Sequence, residues 1–269
     1  IKVDQVDVAT VVIDGFTIRG GAADNGAGLL ANDAAPVTVI MCVFSDNHAT
    51  SDGGRIRTGR LFRSVALDSA SDDDLATLAA LGVTMVIDMR RPHEQSLRPD
   101  RLPVGAELLS LDVFADGEDA ATADIDAVLT HLREPERVDA RLDVDDMARF
   151  QLASYHDLVM LGSARSAYAR FFRTLTTTKG AALVHCTGGK DRTGWAVAAL
   201  LSLLGVPEDD IFEDYLISDL AVRTLFAEAI DDFEARGGQR EVMERMFGAR
   251  REYLAASFRT VSDEYGSVE

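Results

Sequence analysis

The segment "HCTGGKDRTG", residues 185–194, contains the side chains of this sequence that are best suited to chemistry. Cys186 precedes Arg192 by six positions, two glycines lie between them, and Thr193 follows. Glycines allow a loop to curl so that its N–H groups point inward and bind an anion. The planar guanidinium of an arginine can hold two oxygens of a tetrahedral oxyanion. The spacing therefore predicts a phosphate-binding loop with a thiol at its base.

Each side chain of this loop has a predicted role in the hydrolysis of a phosphate ester. Cys186 is the expected nucleophile toward phosphorus, because helix N-termini and nearby cations favour a thiolate. Thr193 can donate a hydrogen bond to the sulfur and help it leave in a second step. Asp191 is the carboxyl group nearest in sequence and could protonate the departing oxygen. We expect His185 to brace the loop without transferring a proton. The residues expected to line the bound phosphate are Thr187, Gly188, Gly189, Lys190 and Thr193.

Other motifs that bind phosphates or metals do not fit this segment. A Walker loop requires G-x-x-x-x-G-K-[ST], but Asp191 follows Lys190 and Val184 occupies the position of the first glycine. The sequence contains no G-x-G-x-x-G for a dinucleotide. Cys186 has no C-x-x-C partner and the five histidines are scattered, so no zinc pattern is present. We therefore expect neither a metal nor a cofactor.

Charge and cysteine content restrict the partners and the compartment. The formal net charge is −18, from 27 Lys and Arg against 45 Asp and Glu, which disfavours nucleic acid and anionic membranes as partners. Two cysteines, Cys42 and Cys186, cannot form a disulfide framework, so we expect a reducing environment. No apolar run is long enough for stable membrane insertion, and the first residues lack a recognisable signal peptide. This favours a cytoplasmic protein, or one secreted without such a signal, and leaves the oligomeric state open.

The sequence around the loop alternates between strands and helices, which predicts an α/β sheet covered on both faces. The segment before Cys186 is a short buried strand, and an apolar helix follows Thr193. In open α/β folds ligands bind at this junction, beyond the carboxyl ends of the strands. The predicted helices are 71–82 and 195–205, and the predicted strands are 83–89, 107–113 and 181–185.

The remaining segments have weaker patterns. Three prolines predict a loop over 90–103, and residues 115–146 form an acidic, patternless excursion. Helical spacing occurs on both sides of Gly162, and Pro207 opens a helix that continues to about Leu220. Two amphipathic helical stretches then follow, at 222–233 and 242–261.

Residues 1–48 differ in composition from the rest and predict a separate, β-rich segment ahead of a domain at 49–269. β-Branched, apolar stretches flank the turn-rich sequence "AADNGAGLLANDA". Phe16 and Phe44 lie 28 positions apart, which is within the range of solenoid repeats. A β-helix-like segment and a pair of strands in another sheet explain this pattern about equally well.

The loop resembles that of the atypical bacterial cysteine-dependent phosphatases that act on phosphotyrosine or have dual specificity. The resemblance extends to residues 52–64, 78–94, 212–219 and 251–268. It implies a cysteine-phosphatase fold, with a central parallel or mixed sheet, flanking helices and a helical lid, and no metal. The implied activity is hydrolysis of phosphotyrosine, with phosphoserine, phosphothreonine and phosphoinositides as further substrates of some members.

The same resemblance assigns roles to individual residues. Cys186 matches the nucleophile, Arg192 the phosphate clamp and Asp191 the general acid. Lys190 matches the residue linked to a broader substrate range, and Asp88 matches an aspartate near the active site. Gly188 stands where the family usually has alanine, so we expect a more flexible loop.

Several alternatives remain open from the sequence. Asp88 is as well explained by pairing with Arg90 as by contact with substrate or Arg192. Rival general acids are Asp112, Asp116 and Asp146, although each is more simply a solvated side chain. The alternative functions are a phosphoinositide phosphatase and a phosphate-binding module that is catalytically impaired.

Overall fold

The computed structural model describes residues 10–13, 16–19, 59–117 and 144–266. Strands β1 (Thr10–Ile13) and β2 (Phe16–Arg19) pair antiparallel. The rest of the predicted segment 1–48, including Cys42, lies outside the described residues, as do residues 118–143 of the predicted acidic excursion. The division of the chain at residue 48 therefore stays a prediction.

The central sheet has four parallel strands: β3 (Leu61–Ser64), β4 (Val83–Asp88), β5 (Glu107–Ser110) and β6 (Ala181–His185). Their spatial order is β3-β6-β4-β5, so β6 has a hydrogen-bonded neighbour on each side. All five residues of β6 are buried, as is typical of an inner parallel strand. His185 at its end pairs with Ser64 on one side and with Asp88 on the other. The chain therefore leaves β6 at the centre of the carboxyl edge.

Ten helices are described around this sheet and beyond it. The first of them, α1 (Asp72–Ala80), is capped by Ser71. The Ser71 hydroxyl accepts from the N–H of Asp74 at 3.1 Å, and the Asp74 carboxylate accepts from the N–H of Ser71 at 2.8 Å. No described helix combines the length and apolar character needed to cross a membrane. Their bounds are α1 (Asp72–Ala80), α2 (Pro92–Leu97), α3 (Val144–Met160), α4 (Gly162–Thr177), α5 (Asp191–Leu203), α6 (Glu208–Leu216), α7 (Ser218–Leu225), α8 (Ala227–Ala235), α9 (Arg240–Phe247) and α10 (Arg251–Tyr265).

Hydrophobic side chains cover both faces of the sheet, which confirms the predicted α/β class. Alternate residues of β6 point to opposite faces, so Val184 enters the larger core with α3–α6 and α10, whereas Leu183 packs with Leu78 of α1. A third hydrophobic cluster joins helices α7, α8 and α9 to Val65, just after β3, and to Met147 of α3. We call α7–α9, residues 218–247, the lid helices.

The predicted loop over 90–103 is wrong in one part, because residues Pro92–Leu97 form helix α2. Proline is favoured at the first helical position, where its missing N–H has no partner to lose. Glu94, two positions later, accepts a hydrogen bond from the N–H of Arg91 at 2.9 Å and closes the first turn. A proline at this position therefore starts a helix rather than breaking one.

Other element boundaries differ from the prediction by smaller amounts. The expected helix from Pro207 to about Leu220 is divided at Ile217 into α6 and α7. The expected stretch 242–261 is likewise divided by residues 248–250 into α9 and α10. Strand β3, which the sequence analysis did not identify, has four buried residues at the edge of the sheet.

Candidate active site

Cys186 lies at the base of a buried loop between β6 and α5. Its side chain is 2% exposed, and residues 186–190 are all buried. Among the described residues, the N–H groups of 187–190 donate to no acceptor. Helix α5 begins at Asp191 and adds roughly half a positive charge at its N-terminus. The arrangement is suited to hold an anion over the sulfur.

Gly189 determines how closely this loop approaches the end of β3. Its φ of +64° lies in the left-handed region that favours glycine, and a methyl group there would lie 2.4 Å from the carbonyl oxygen of Ser64. The N–H of Ala66 donates to the carbonyl of Thr187 at 3.1 Å and holds the loop against the same segment. Gly188 differs, because a methyl group there would meet Phe226 at 3.7 Å, an ordinary contact.

Arg192 is held by Glu94, a residue that the sequence analysis did not select. Its Nη1 lies 2.6 Å from Oε2 and its Nη2 lies 2.9 Å from Oε1 of that carboxylate. Nη1 also lies 3.4 Å from the carbonyl of Met89, and Nη2 lies 3.2 Å from the hydroxyl of Thr187. That hydroxyl donates to Glu94 in turn. The guanidinium is therefore fixed in one plane before any substrate binds.

The charge on Arg192 keeps Glu94 ionised in spite of burial. Burial acts to raise the pKa of Glu94. The charge of the Arg192 guanidinium outweighs it, together with hydrogen bonds from Arg192, the Thr187 hydroxyl and the Arg91 N–H, and lowers the pKa to about 2. The sequence signal for this residue was the proline-initiated turn, in which a glutamate at the third position bonds back to the helix start. Because residues 90–103 were expected to form a loop, the sequence analysis did not identify Glu94.

Beneath the loop, His185 belongs to a buried charged cluster. Its Nδ1 lies 3.1 Å from the carbonyl of Cys186 and its Nε2 lies 3.1 Å from Oδ2 of Asp100. Burial acts to lower the pKa of His185, but the Asp100 hydrogen bond and the charges of Asp88 and Asp100 outweigh it, and the pKa is raised. The pKa of Asp100 is lowered to about 2, because His185 and Arg90 outweigh its burial.

Asp88 takes part in this cluster and pairs with Arg90, not with Arg192. Its Oδ2 lies 2.8 Å from Nη2 of Arg90, which also lies 2.9 Å from Asp100. Ligand atoms of Asp88, Asp100 and His185 lie within 4.8 Å of one another, but the Arg90 guanidinium already supplies the positive charge that a metal ion would bring. The side chain of Asp88 is 1% exposed, and this packing gives no support to the expected substrate contact.

Lys190 and Asp191 face the helices at the C-terminal end of the chain. The Lys190 ammonium lies 2.9 Å from the carbonyl of Met246, 3.2 Å from that of Gly248 and 3.2 Å from Oδ1 of Asp191. Lys190 is 2% exposed, whereas the Asp191 side chain is 28% exposed. Asp191 therefore remains accessible for proton transfer, while the ammonium of Lys190 is occupied. The predicted substrate contact of Lys190 stays a prediction.

The hydroxyl of Thr193 is buried and has no hydrogen-bond partner among the described residues. A hydroxyl in this position is able to donate to a sulfur that carries negative charge. Its expected role in the departure of the thiolate remains a prediction.

The rival acids lie in three different settings. Asp112 follows β5, and burial raises its pKa although the nearby Arg91 and Arg192 oppose this. Asp116 accepts a hydrogen bond from the N–H of Ser163 at 3.0 Å. Asp146 lies in the first turn of α3 and pairs with Arg149. Of these three, Asp112 is the carboxyl group whose surroundings include Arg192.

The lid helices cover the loop from the outside. A methyl group at Gly188 would contact Phe226 at 3.7 Å and Val222 at 3.9 Å, so both side chains lie directly over the backbone of the loop. Phe226 stacks on Phe247 of α9, with ring centroids 4.0 Å apart. Val222 and Phe226 therefore shield the loop backbone at Gly188 from solvent.

Comparison with known proteins agrees with this geometry. Residues 46–269 match the tyrosine phosphatase family. The chain is 36% identical over 223 residues to a tyrosine-protein phosphatase of Cupriavidus necator, covering 82% of this chain and 76% of the relative. It is 32% identical over 233 residues to the triple specificity protein phosphatase PtpB of Mycobacterium tuberculosis, covering 79% of this chain and 84% of the relative. The solved structure of P. aeruginosa TpbA is 15% identical in sequence, over an alignment that covers 81% of this chain and 92% of TpbA. Its TM-score of 0.31 is too low for an argument about the fold.

The chain therefore belongs to the tyrosine phosphatase family, whose reaction is the hydrolysis of phosphotyrosine. This confirms the family that the loop and the other segments suggested.

Replacing each of the two loop glycines by alanine should change the free energy of unfolding in opposite directions. Gly188→Ala should raise the free energy of unfolding by about 0.4–1 kcal/mol, because it restricts the unfolded chain and fits an ordinary contact. Gly189→Ala should lower it by at least about 1–2 kcal/mol, because it adds left-handed strain and a clash with Ser64. Urea unfolding of both variants measures the difference. Changes of the same sign and size would contradict this description of the loop.

The Arg192–Glu94 pair should make stability depend on acid. Because the pKa of Glu94 is lowered to about 2 in the folded protein, its stabilisation is present above the unfolded pKa near 4.5 and is lost as pH falls toward 2. Glu94→Gln should reduce stability near neutral pH by about 3 kcal/mol and should flatten the decline between pH 4.5 and 2. Denaturant unfolding across this range measures both effects.

The matched control is Glu107→Gln, at an exposed position of β5. This change should leave both the stability at neutral pH and its acid dependence close to those of the unmodified chain. A Glu94 variant that behaves like this control would refute the coupling between Glu94 and Arg192.

Proposed function

We propose that the chain hydrolyses phosphotyrosine through a cysteinyl-phosphate intermediate on Cys186. The observation that supports this most strongly is the loop itself. A buried cysteine begins a loop in which four backbone N–H groups have no acceptor among the described residues, and Glu94 holds Arg192 at the end of the same loop. Preorganised donors of this kind stabilise the charge that develops on a phosphoryl group in the transition state.

In the first step the thiolate of Cys186 attacks phosphorus. A sulfur–phosphorus bond forms, and the bond between phosphorus and the tyrosine oxygen breaks. The departing oxygen takes a proton from Asp191, whose side chain is partly exposed beside the loop. The guanidinium of Arg192 and the loop N–H groups hold the non-bridging oxygens throughout. The tyrosine side chain then leaves with its hydroxyl restored.

In the second step water attacks the phosphorus of the cysteinyl-phosphate. Asp191, now a carboxylate, takes a proton from the water. The sulfur–phosphorus bond breaks, and phosphate is released. The buried hydroxyl of Thr193, which has no other partner among the described residues, donates to the sulfur as its charge returns.

The geometry favours a phosphotyrosyl protein over a phosphoinositide as the substrate. The phosphoinositide alternative was motivated by the positive charge of Lys190, but that ammonium is buried and bonded to the carbonyls of Met246 and Gly248. The aromatic and aliphatic side chains of Phe226 and Val222 cover the loop instead. An aryl group is better matched to these neighbours than a polyhydroxylated ring.

The nucleophile can be tested by exchanging each cysteine separately. Cys186→Ser should reduce turnover of p-nitrophenyl phosphate by roughly 10⁴-fold or more, because the second step cannot replace the missing thiolate. Inorganic phosphate should still raise the melting temperature of this variant, since the loop donors remain. Cys42→Ser is the matched control and should retain turnover. Full turnover by the Cys186 variant would refute the mechanism.

The proton donor can be tested with leaving groups of different basicity. Asp191→Asn should reduce the turnover of phenyl phosphate by roughly 10²-fold or more and that of p-nitrophenyl phosphate much less, because nitrophenolate leaves without a proton. Asp112→Asn is the comparison, since this carboxyl group also lies near Arg192. If the Asp112 variant alone showed the leaving-group effect, Asp112 would replace Asp191 as the donor.

A further inference from the structure

Two tyrosine hydroxyls form a hydrogen-bonded pair next to the proposed proton donor. Tyr155 of α3 and Tyr215 of α6 have hydroxyl oxygens 2.6 Å apart. Both residues are 0% exposed. No role in phosphate binding or nucleophilic attack involves either of them. Their rings alone would fill the core equally well as phenylalanine, so the hydroxyls need a separate explanation.

The two hydroxyls together have one hydrogen that is free to donate a further hydrogen bond. Each hydroxyl carries one hydrogen, and the 2.6 Å contact uses only one of the two. The second hydrogen requires an acceptor, because a buried donor without one is costly. Oδ1 of Asp191 is a buried acceptor that, apart from the Lys190 ammonium 3.2 Å away, has no partner among the described residues. The spare donor and the spare acceptor complement each other.

The charge of this carboxylate acts on both hydroxyls. Burial is the main cause that raises the pKa of Tyr155, and the negative charge of Asp191 raises it further. The same two causes, in the same order, raise the pKa of Tyr215. A phenolate beside an aspartate is strongly disfavoured, so the pair remains protonated and can act only as a hydrogen-bond donor toward Asp191.

Packing fixes the pair relative to the first turn of α5. A methyl group at Gly194 would lie 3.0 Å from the ring of Tyr215, so this ring lies against the helix one turn beyond Asp191. The hydroxyl of Ser257 in α10 donates to the carbonyl of Tyr155 at 2.7 Å. Tyr155 also contacts the ring of Tyr253, with centroids 5.8 Å apart. Helices α5 and α10 therefore pack against the two tyrosines.

We propose that the Tyr155–Tyr215 pair, together with the Lys190 ammonium, holds Oδ1 of Asp191 and so directs Oδ2 toward the leaving group. The tyrosines are positioning residues: they act through Asp191 and do not touch the substrate. Lys190 holds the same oxygen of Asp191 from the side of α9, where the carbonyls of Met246 and Gly248 anchor its ammonium. This inference rests on the proposed role of Asp191 as proton donor.

The test compares Tyr155→Phe and Tyr215→Phe on two leaving groups. With phenyl phosphate, kcat should fall by about threefold to tenfold, the size expected for one lost hydrogen bond. With p-nitrophenyl phosphate, kcat should change by less than about twofold, because that leaving group needs little protonation. The double variant should lose no more than either single one, since the pair acts as one donor.

Tyr253→Phe is the matched control for the loss of a buried tyrosine hydroxyl. Tyr253 packs against Tyr155, but its hydroxyl donates to the carbonyl of Arg245 at 3.0 Å. This variant should change the turnover of the two substrates by the same factor. Equal losses on both substrates in the Tyr155 and Tyr215 variants would show that the hydroxyls only support packing, and would overturn the proposal.

Combining a tyrosine variant with Asp191→Asn tests whether the tyrosine acts through Asp191. In the Asp191→Asn variant, adding Tyr155→Phe should not further increase the leaving-group dependence, whereas a further increase of the same size would overturn the coupling. If one tyrosine variant does not fold, the other still carries the test. Failure of the proposed function would look different, because Cys186→Ser would then retain turnover or the unmodified chain would hydrolyse neither aryl phosphate.

Discussion

The buried ion pair between Arg192 and Glu94 holds the candidate site together. It joins the first turn of α5 to helix α2, which follows the neighbouring strand β4, and it does so with two hydrogen bonds between planar groups. A guanidinium buried without a partner would be costly, and a glutamate in the same place would be costlier still. Each makes the burial of the other possible. The guanidinium of Arg192 is therefore already oriented by the fold, so its ordering is part of folding and not of ligand binding.

The region beneath the loop follows the same principle of local charge balance. The chain carries a net charge of −18, yet its loop is suited to hold an anion. His185 and Arg90 bring positive charge below the loop, and Asp88 and Asp100 neutralise much of it at distances near 3 Å. The N–H groups of the loop have no acceptor among the described residues and are free to bind an anion. Attraction of the phosphate is thus local, and the acidic surface limits other anionic partners.

The lid helices contact the loop between β6 and α5 at two points. Phe226 and Val222 lie over Gly188, and the last turn of α9 supplies the carbonyls that hold Lys190. The lid helices therefore contact both the backbone of the loop and the ammonium that pairs with Asp191.

Local sequence determined the loop, its flanking strand and helix, and the family, because a cysteine, two glycines and an arginine at fixed spacing define their own geometry. It also located β4, β6 and the helices around Gly162, where apolar periodicity is strong. The tertiary structure alone decided which charged residues meet. Glu94, and not Asp88, pairs with Arg192 across 98 positions of the sequence. Tyr155 of α3 likewise meets Tyr215 of α6 across 60 positions. Partners so distant in sequence leave no local pattern, because their contact depends on strand order and helix packing.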